Sequence, residues 1–367
     1  MGTLLRKSMK PTAKVSVNLH KTPPKFFIPT GNALLNCALS DSVDGGYGVG
    51  KLVNLIGDSS SGKTILALTM MAEMNMDPKF DEYDFDFDDA EAALEIDIQK
   101  LFGSKLTNRI NFRKSKTIED WYGYMYNKIQ SGKPFITILD SFDALTSRDE
   151  QKRAAEFGKQ EAKRSEDGEL DDDSEEAPGK QKGSWKTEKP KLASEIFRVC
   201  CEGIAKTNSF CLIISQTRDN LGFGAMFTPK TRSGGKALKF FATHEIWLAT
   251  GKSHGKPGRS IGSDCMVKVT KNKLTGKRRE IFFPIYYDYG VDSIESCINF
   301  LIAEKIWIKA KALVDTKGFI NDKMTINKLI QYIEEGEFEH QLNQLVQTVW
   351  DNIEENLKLN RIPKYRE

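Results

Sequence analysis

The 367-residue sequence has no CxxC pair among its six cysteines and only four scattered histidines, so neither a disulfide framework nor a His/Cys metal centre is expected. Cys37, Cys200, Cys201, Cys211, Cys265 and Cys297 lie mostly in apolar runs and read as buried thiols. No uninterrupted apolar run approaches the roughly 20 residues of a bilayer span. The basic N-terminus also has no apolar segment behind it to serve as a signal peptide. Such a chain is expected in the cytoplasm, with no membrane partner. Acids are missing from residues 1–26, which carry Arg6, Lys7, Lys10, Lys14, Lys21 and Lys25. Pro11, Pro23 and Pro24 deny this stretch a long helix, leaving residues 1–29 as an extended basic arm suited to nucleic acid, to an acidic neighbour or to plain solvation. The remainder, 39% hydrophobic and 29% charged over the whole chain, fits one large globular domain and a smaller one, without internal repeats.

What is present is organised around residues 51–76. Val53, Leu55 and Ile56 form a short apolar run, Gly57-Asp58-Ser59-Ser60-Ser61-Gly62-Lys63-Thr64 follows at once, and residues 65–74 are apolar at helical spacing. This is strand, phosphate loop, helix. A triphosphate is held by backbone N–H groups at the positive end of a helix, and glycine lets the backbone come close. Lys63 is expected on the β and γ phosphates of ATP and the Thr64 hydroxyl on Mg²⁺. Upstream, Thr30-Gly31-Asn32 caps a helix that closes at Gly45-Gly46-Tyr47-Gly48.

Three further strands end in polar residues. Residues 81–89 alternate acids with Tyr83, Phe85 and Phe87 and lead to Glu91, placed to polarise the water that attacks a γ-phosphate. Phe135-Ile136-Thr137-Ile138-Leu139-Asp140 is an apolar run delivering Asp140 to Mg²⁺. Residues 210–216 form another buried strand with Gln216 at its end, where it senses the γ-phosphate. Residues 148–191 are a charged insertion whose start, 148–164, has helical charge pairs. Residues 217–235 combine four glycines with Arg218, Met226, Phe227, Lys230 and Arg232, the cations and apolar platform that single-stranded DNA binding requires. A strand at 245–249, a basic glycine turn at 251–259, a strand pair at 266–273 and 279–285, and a mainly helical pattern from 291 complete the chain.

In this order the pieces resemble the RecA/UvsX-type recombinases, the bacterial and bacteriophage RecA-like strand-exchange ATPases, over roughly residues 28–355. The motifs are Thr30-Gly31 with Leu34-Leu35 and Ala38-Leu39-Ser40; Asp89-Ala90-Glu91 with Ala93-Leu94; Leu139-Asp140-Ser141 with Ala144-Leu145; and Gln216. The resemblance implies an α/β fold: a RecA-like P-loop ATPase core with a mainly parallel central sheet over residues 30–290 and a small, mainly helical C-terminal domain over 291–367. It places a first DNA-binding loop in the enlarged insertion and a second at 217–235, where Arg218, Met226, Phe227, Gly234 and Gly235 match DNA-contacting positions. Ala237-Leu238-Lys239-Phe240 resembles a subunit-interface segment, and Lys271 with Lys273 a pair reaching the neighbouring subunit's ATP. Where the family stacks an aromatic on adenine, this chain has Ile98. The implied function is an ATP-dependent DNA recombinase, with Glu91, Lys63 and Gln216 catalytic. It would form helical filaments on single-stranded DNA, engage double-stranded DNA, and work beside single-strand-binding and loader proteins in a bacterial cytoplasm, or a host's if phage-encoded. Alternative functions are a ring-forming RecA-fold helicase, and a DNA-binding scaffold or recombination mediator that hydrolyses little.

Overall fold

The computed structural model describes residues 26–166, 188–219, 230–232, 235–362 and 365. Most of the basic arm, the middle of the insertion, and Met226, Phe227 and Gly234 lie outside the described residues.

Strand β1 (Phe27–Ile28) leads to helix α1 (Ala33–Ser40), whose Asn32 cap accepts from the Leu35 N–H at 3.0 Å, and β2 (Tyr47–Gly48) returns to pair with β1. β3 (Lys51–Gly57) and α2 (Lys63–Met76) flank the phosphate loop. Then come β4 (Asp84–Asp89), α3 (Ile98–Arg109), β5 (Ile110–Arg113), α4 (Ile118–Gln130) and β6 (Phe135–Asp140). The insertion opens as α5 (Arg148–Glu166) and closes as α6 (Glu188–Lys206), followed by β7 (Phe210–Asp219), β8 (Lys230–Arg232) and α7 (Gly235–Phe241). β9 (His244–Lys256), β10 (Arg259–Asn272), β11 (Arg279–Tyr286) and β12 (Gly290–Val291) lead to α8 (Ser293–Ala303), the hairpin β13 (Ile308–Ala310) and β14 (Leu313–Asp315), α9 (Ile326–Glu335) and α10 (Glu339–Asn356).

Ten strands form one α/β sheet in the order β12-β11-β10-β9-β3-β7-β6-β4-β5, with β8 attached to β7. From β9 across to β5 every neighbour is parallel; the β9–β12 side is antiparallel. The apolar runs explain the centre, because strands covered on both faces need apolar side chains on both. On β7, Phe210, Leu212 and Ile214 join one apolar cluster with α1, α2, α8 and α10, while Cys211 and Ile213 join a second with α4, α6 and α7. The sheet is thus sandwiched between helices. The parallel registers set Gly57 opposite Gln216 and Asp89 opposite Asp140, so the polar strand ends share one edge of the sheet.

One expectation changes, at residues 251–259, and two stretches gain detail that the sequence left open. Asp86, Asp88 and Asp89 of β4 are buried: Asp86 is met by the Tyr124 hydroxyl and Lys128, and Asp88 by the Ser115 N–H and hydroxyl. Residues 251–259 are chiefly ladder, since β9 and β10 pair as far as Lys256 and Arg259, where the turn falls. The helical pattern after 291 is interrupted by the β13–β14 hairpin, which reverses at Lys311, whose φ is +56°.

Arg279 ties α10 to this frame. It donates to the last carbonyls of α1, Cys37 O at 2.9 Å and Ala38 O at 3.2 Å, pairs with Asp41 and with Glu354 at 2.6 Å, and lies over the Trp350 ring at 5.0 Å. Its side chain is 9% exposed, against 44% for Lys277, which meets the same two carboxylates. Removing a buried partner leaves carbonyls and carboxylates unsatisfied, whereas a surface pair contributes little. Arg279→Met is therefore expected to lower the unfolding free energy by about 2 kcal/mol and Lys277→Met by less than about 1 kcal/mol in urea titrations; equal effects would contradict this assignment.

Candidate functional site

The phosphate loop leaves β3 at Gly57, where no side chain fits: a Cβ would stand 2.5 Å from the Leu248 carbonyl oxygen and from Ser61 Oγ. Gly62 enters α2 at φ +90°, a conformation that glycine adopts without steric cost. Lys63 is buried, and its ammonium donates to the loop's own carbonyls, Gly57 O at 3.1 Å and Asp58 O at 2.5 Å. Burial pulls the Lys63 ammonium below its ordinary pKa, opposed by the carboxylates of Asp140, Glu91, Asp58 and Asp143.

The neighbouring strand ends supply those carboxylates. Thr64 Oγ1 donates to Asp140 Oδ2 at 2.6 Å. Ser141 Oγ and Gln216 Nε2 both donate to Glu91 Oε1, at 2.5 and 2.7 Å. The Ala90 and Glu91 N–H groups donate to the Asp140 carbonyl, fixing the turn that presents Glu91. Thr217 donates to Asp58, and the Gln216 N–H to Asp143 at 2.7 Å. Lys63, Thr64, Glu91, Asp140 and Gln216 line one cavity of about 200 Å³ together with Ser59 and Ser60. The loop residues Gly57–Thr64 and the three strand-end groups expected from sequence thus meet.

Burial raises the Asp140 carboxyl above the usual range; Glu91 and Asp89 push the same way, while the Thr64 hydroxyl and Lys63 oppose. A hydroxyl and a carboxylate beside surplus negative charge suit a hard divalent cation such as Mg²⁺. Among the described residues no cluster of three or more His, Cys, Asp or Glu is placed to hold a metal. That is compatible with Mg²⁺, which commonly takes one or two carboxylates and completes its shell with phosphate and water.

Lys271 and Lys273 are not in this cavity. In the β9–β10 register Asn272 faces His244, which itself faces Val53, so the pair stands at the sheet edge opposite Gly57. There Lys271 donates to Lys239 O and Phe240 O, and Lys273 to Phe240 O at 3.0 Å, capping α7. Phe240 beside them is 72% exposed. Arg218, Lys230 and Arg232 are gathered on the short β7–β8 pairing, which sets Thr217 opposite Arg232 and Asp219 opposite Lys230, and Gly235 opens α7.

Sequence reading missed the surface on the far side of the loop. A second cavity of about 260 Å³ adjoins the loop and is walled by Ile65, Ile96, Ser263, Ile285 and Tyr287. Ile98 is buried in the core instead, and Ile96 lines both cavities. Only the fold joins Ile96 to Tyr287, although the Tyr286-Tyr287 pair beyond an apolar strand was a signal.

The Asp140 shift generates a test. A carboxyl whose folded pKa exceeds its unfolded value favours the folded state at low pH, and that advantage is lost as pH rises through the folded pKa. At neutral pH the charged Asp140 therefore burdens the fold. Without divalent metal, Asp140→Asn should raise the unfolding free energy by about 1 kcal/mol at neutral pH, with less gain in acid; a loss at neutral pH would contradict the reading.

A protein-family model described as RecA N-terminal domain matches residues 14–164 and 173–292. Protein RecA of Azoarcus sp. (strain BH72) is 30% identical over 286 residues, 78% of this chain and 73% of that protein. Protein RecA of Bartonella quintana (strain Toulouse) is 31% identical over 273 residues, 74% and 68% of the two chains. Protein RecA of Mesoplasma florum (strain ATCC 33453 / NBRC 100688 / NCTC 11704 / L1) is 27% identical over 319 residues, 85% of each. By this coverage, and with the phosphate loop and its strand-end partners in one cavity, the chain belongs to the RecA family.

Proposed function

We propose that the protein is an ATP-dependent DNA recombinase that forms filaments on single-stranded DNA, pairs them with homologous duplex and exchanges strands. The observation that carries this reading is the course of β7. One strand runs from Gln216, bonded to Glu91, through Thr217, bonded to Asp58, into Arg218 and the pairing with Lys230 and Arg232. Groups suited to a phosphate and groups suited to a nucleic acid backbone are consecutive on one strand.

In this reading Lys63 exchanges the loop carbonyls for the β and γ phosphate oxygens, and the loop N–H groups complete the cradle. Thr64 and Asp140 would hold Mg²⁺, which supplies neutralisation of the phosphate charge. Two donors converge on Glu91 Oε1, so Oε2 is the atom that takes a proton from water. Gln216 then reports the state of that site to β7. Ile96 and Tyr287 would flank the base, and Lys271 and Lys273 would serve the site of the adjacent copy in a filament.

Lys63→Ala should reduce ATP hydrolysis by at least about 100-fold, in the presence and absence of long single-stranded DNA. Gln216→Ala should keep a basal rate within about tenfold of the parent and lose stimulation by DNA. The readout is phosphate release at low and moderate salt. Turnover indifferent to DNA in the parent protein would favour the scaffold function, and unchanged turnover in Lys63→Ala would remove the phosphate loop from the mechanism.

A further inference from the structure

We propose that the segment after α10, residues 357–362, docks into a groove on a second copy of this chain. The contact stands apart from the nucleotide and DNA chemistry above and does not rest on it. The groove is a cavity of about 480 Å³ between α1, β11, α8 and α10. Leu34, Ile281, Phe282, Phe300, Trp350 and Ile353 give it an apolar lining, with the Phe300 and Trp350 rings 6.1 Å apart. Phe282 is 56% exposed there. Two exposed acids stand on its rim, Glu280, which meets Lys268 at 3.3 Å, and Glu304. Leu357, the residue that ends α10, closes one end and is itself largely exposed.

The complementary surface follows immediately in the chain. Leu359 and Ile362 are 83% and 87% exposed, so two large apolar side chains stand in solvent within four positions. In the sequence they are interleaved with Lys358 and Arg361. Apolar groups fit the lining and cations fit the rim. Among the described residues the segment leaves the groove at Leu357 with Leu359 and Ile362 exposed beyond it, so the groove is not filled by these side chains of its own chain. A second copy carries the counterpart of each.

The test uses a fluorescent peptide of residues 357–367 and a chain ending at Asn356. The peptide should bind with a dissociation constant of about 10–100 µM, and Phe282→Glu in the groove should weaken it at least about tenfold. Absence of binding at about 1 mM peptide overturns the proposal. The full chain, without nucleotide or DNA, is then followed by sedimentation velocity. Concentration-dependent association should be lost in Ile362→Asp alone and in Phe282→Glu alone. It should return when the two variants are mixed, since one keeps the groove and the other the segment. Peptide binding without association of the full chain would place the segment in its own groove and overturn the second-copy assignment.

Discussion

A buried lysine held among carboxylates is the constraint on which the rest of this structure depends. In its desolvated position the charged form of Lys63 is favoured by Asp140, Glu91, Asp58 and Asp143 around it. Those groups come from the ends of separate strands and from the loop itself, so their meeting requires parallel strands in fixed register, and that register requires a sheet covered on both faces. The two apolar clusters on either side of the sheet are therefore conditions of the charge arrangement. Displacing β4 by one residue against β6 would separate Asp89 from Asp140 and turn every side chain of the strand to the other face.

The parts of this arrangement legible in the sequence are those encoded locally. An apolar run, a glycine-bounded loop and a helical pattern lie in one stretch, and β6 and β7 announce themselves by near-continuous apolar residues with a polar terminus. Asn32 is likewise readable as a cap because its partner is three residues away. What was not legible depends on partners distant in the chain. The alternation in β4 separates its two faces but not what covers them, and only α4 supplies the Tyr124 and Lys128 that allow Asp86 to be buried. Glycine and lysine in residues 251–259 mimic a loop because the β9–β10 ladder that orders them is formed with residues further on. Lysine and alanine around 309–312 favour helix by propensity, and hairpin pairing overrides it. The Asp58–Thr217 bond and the approach of Ile96 to Tyr287 have no local trace.

The strand that carries Gln216 has little freedom to absorb a displacement. β7 lies between β3 and β6, its apolar residues buried on both faces, and a close-packed interior responds to a shifted side chain by moving the element as a body. The hydrogen bonds of Gln216 and Thr217 thus join the phosphate loop to whatever the β7–β8 pairing contacts without a flexible joint between them.

The positions of Lys63 and of the Lys271–Lys273 pair at opposite edges of one sheet have a geometric consequence. A contact bringing one copy's pair to another's phosphate loop, without the return contact, joins unlike surfaces head to tail, and each added copy presents the same unlike surfaces again. An open array built this way has direction: one terminal copy keeps a phosphate loop without a neighbour's lysines, and the other keeps lysines without a loop to serve.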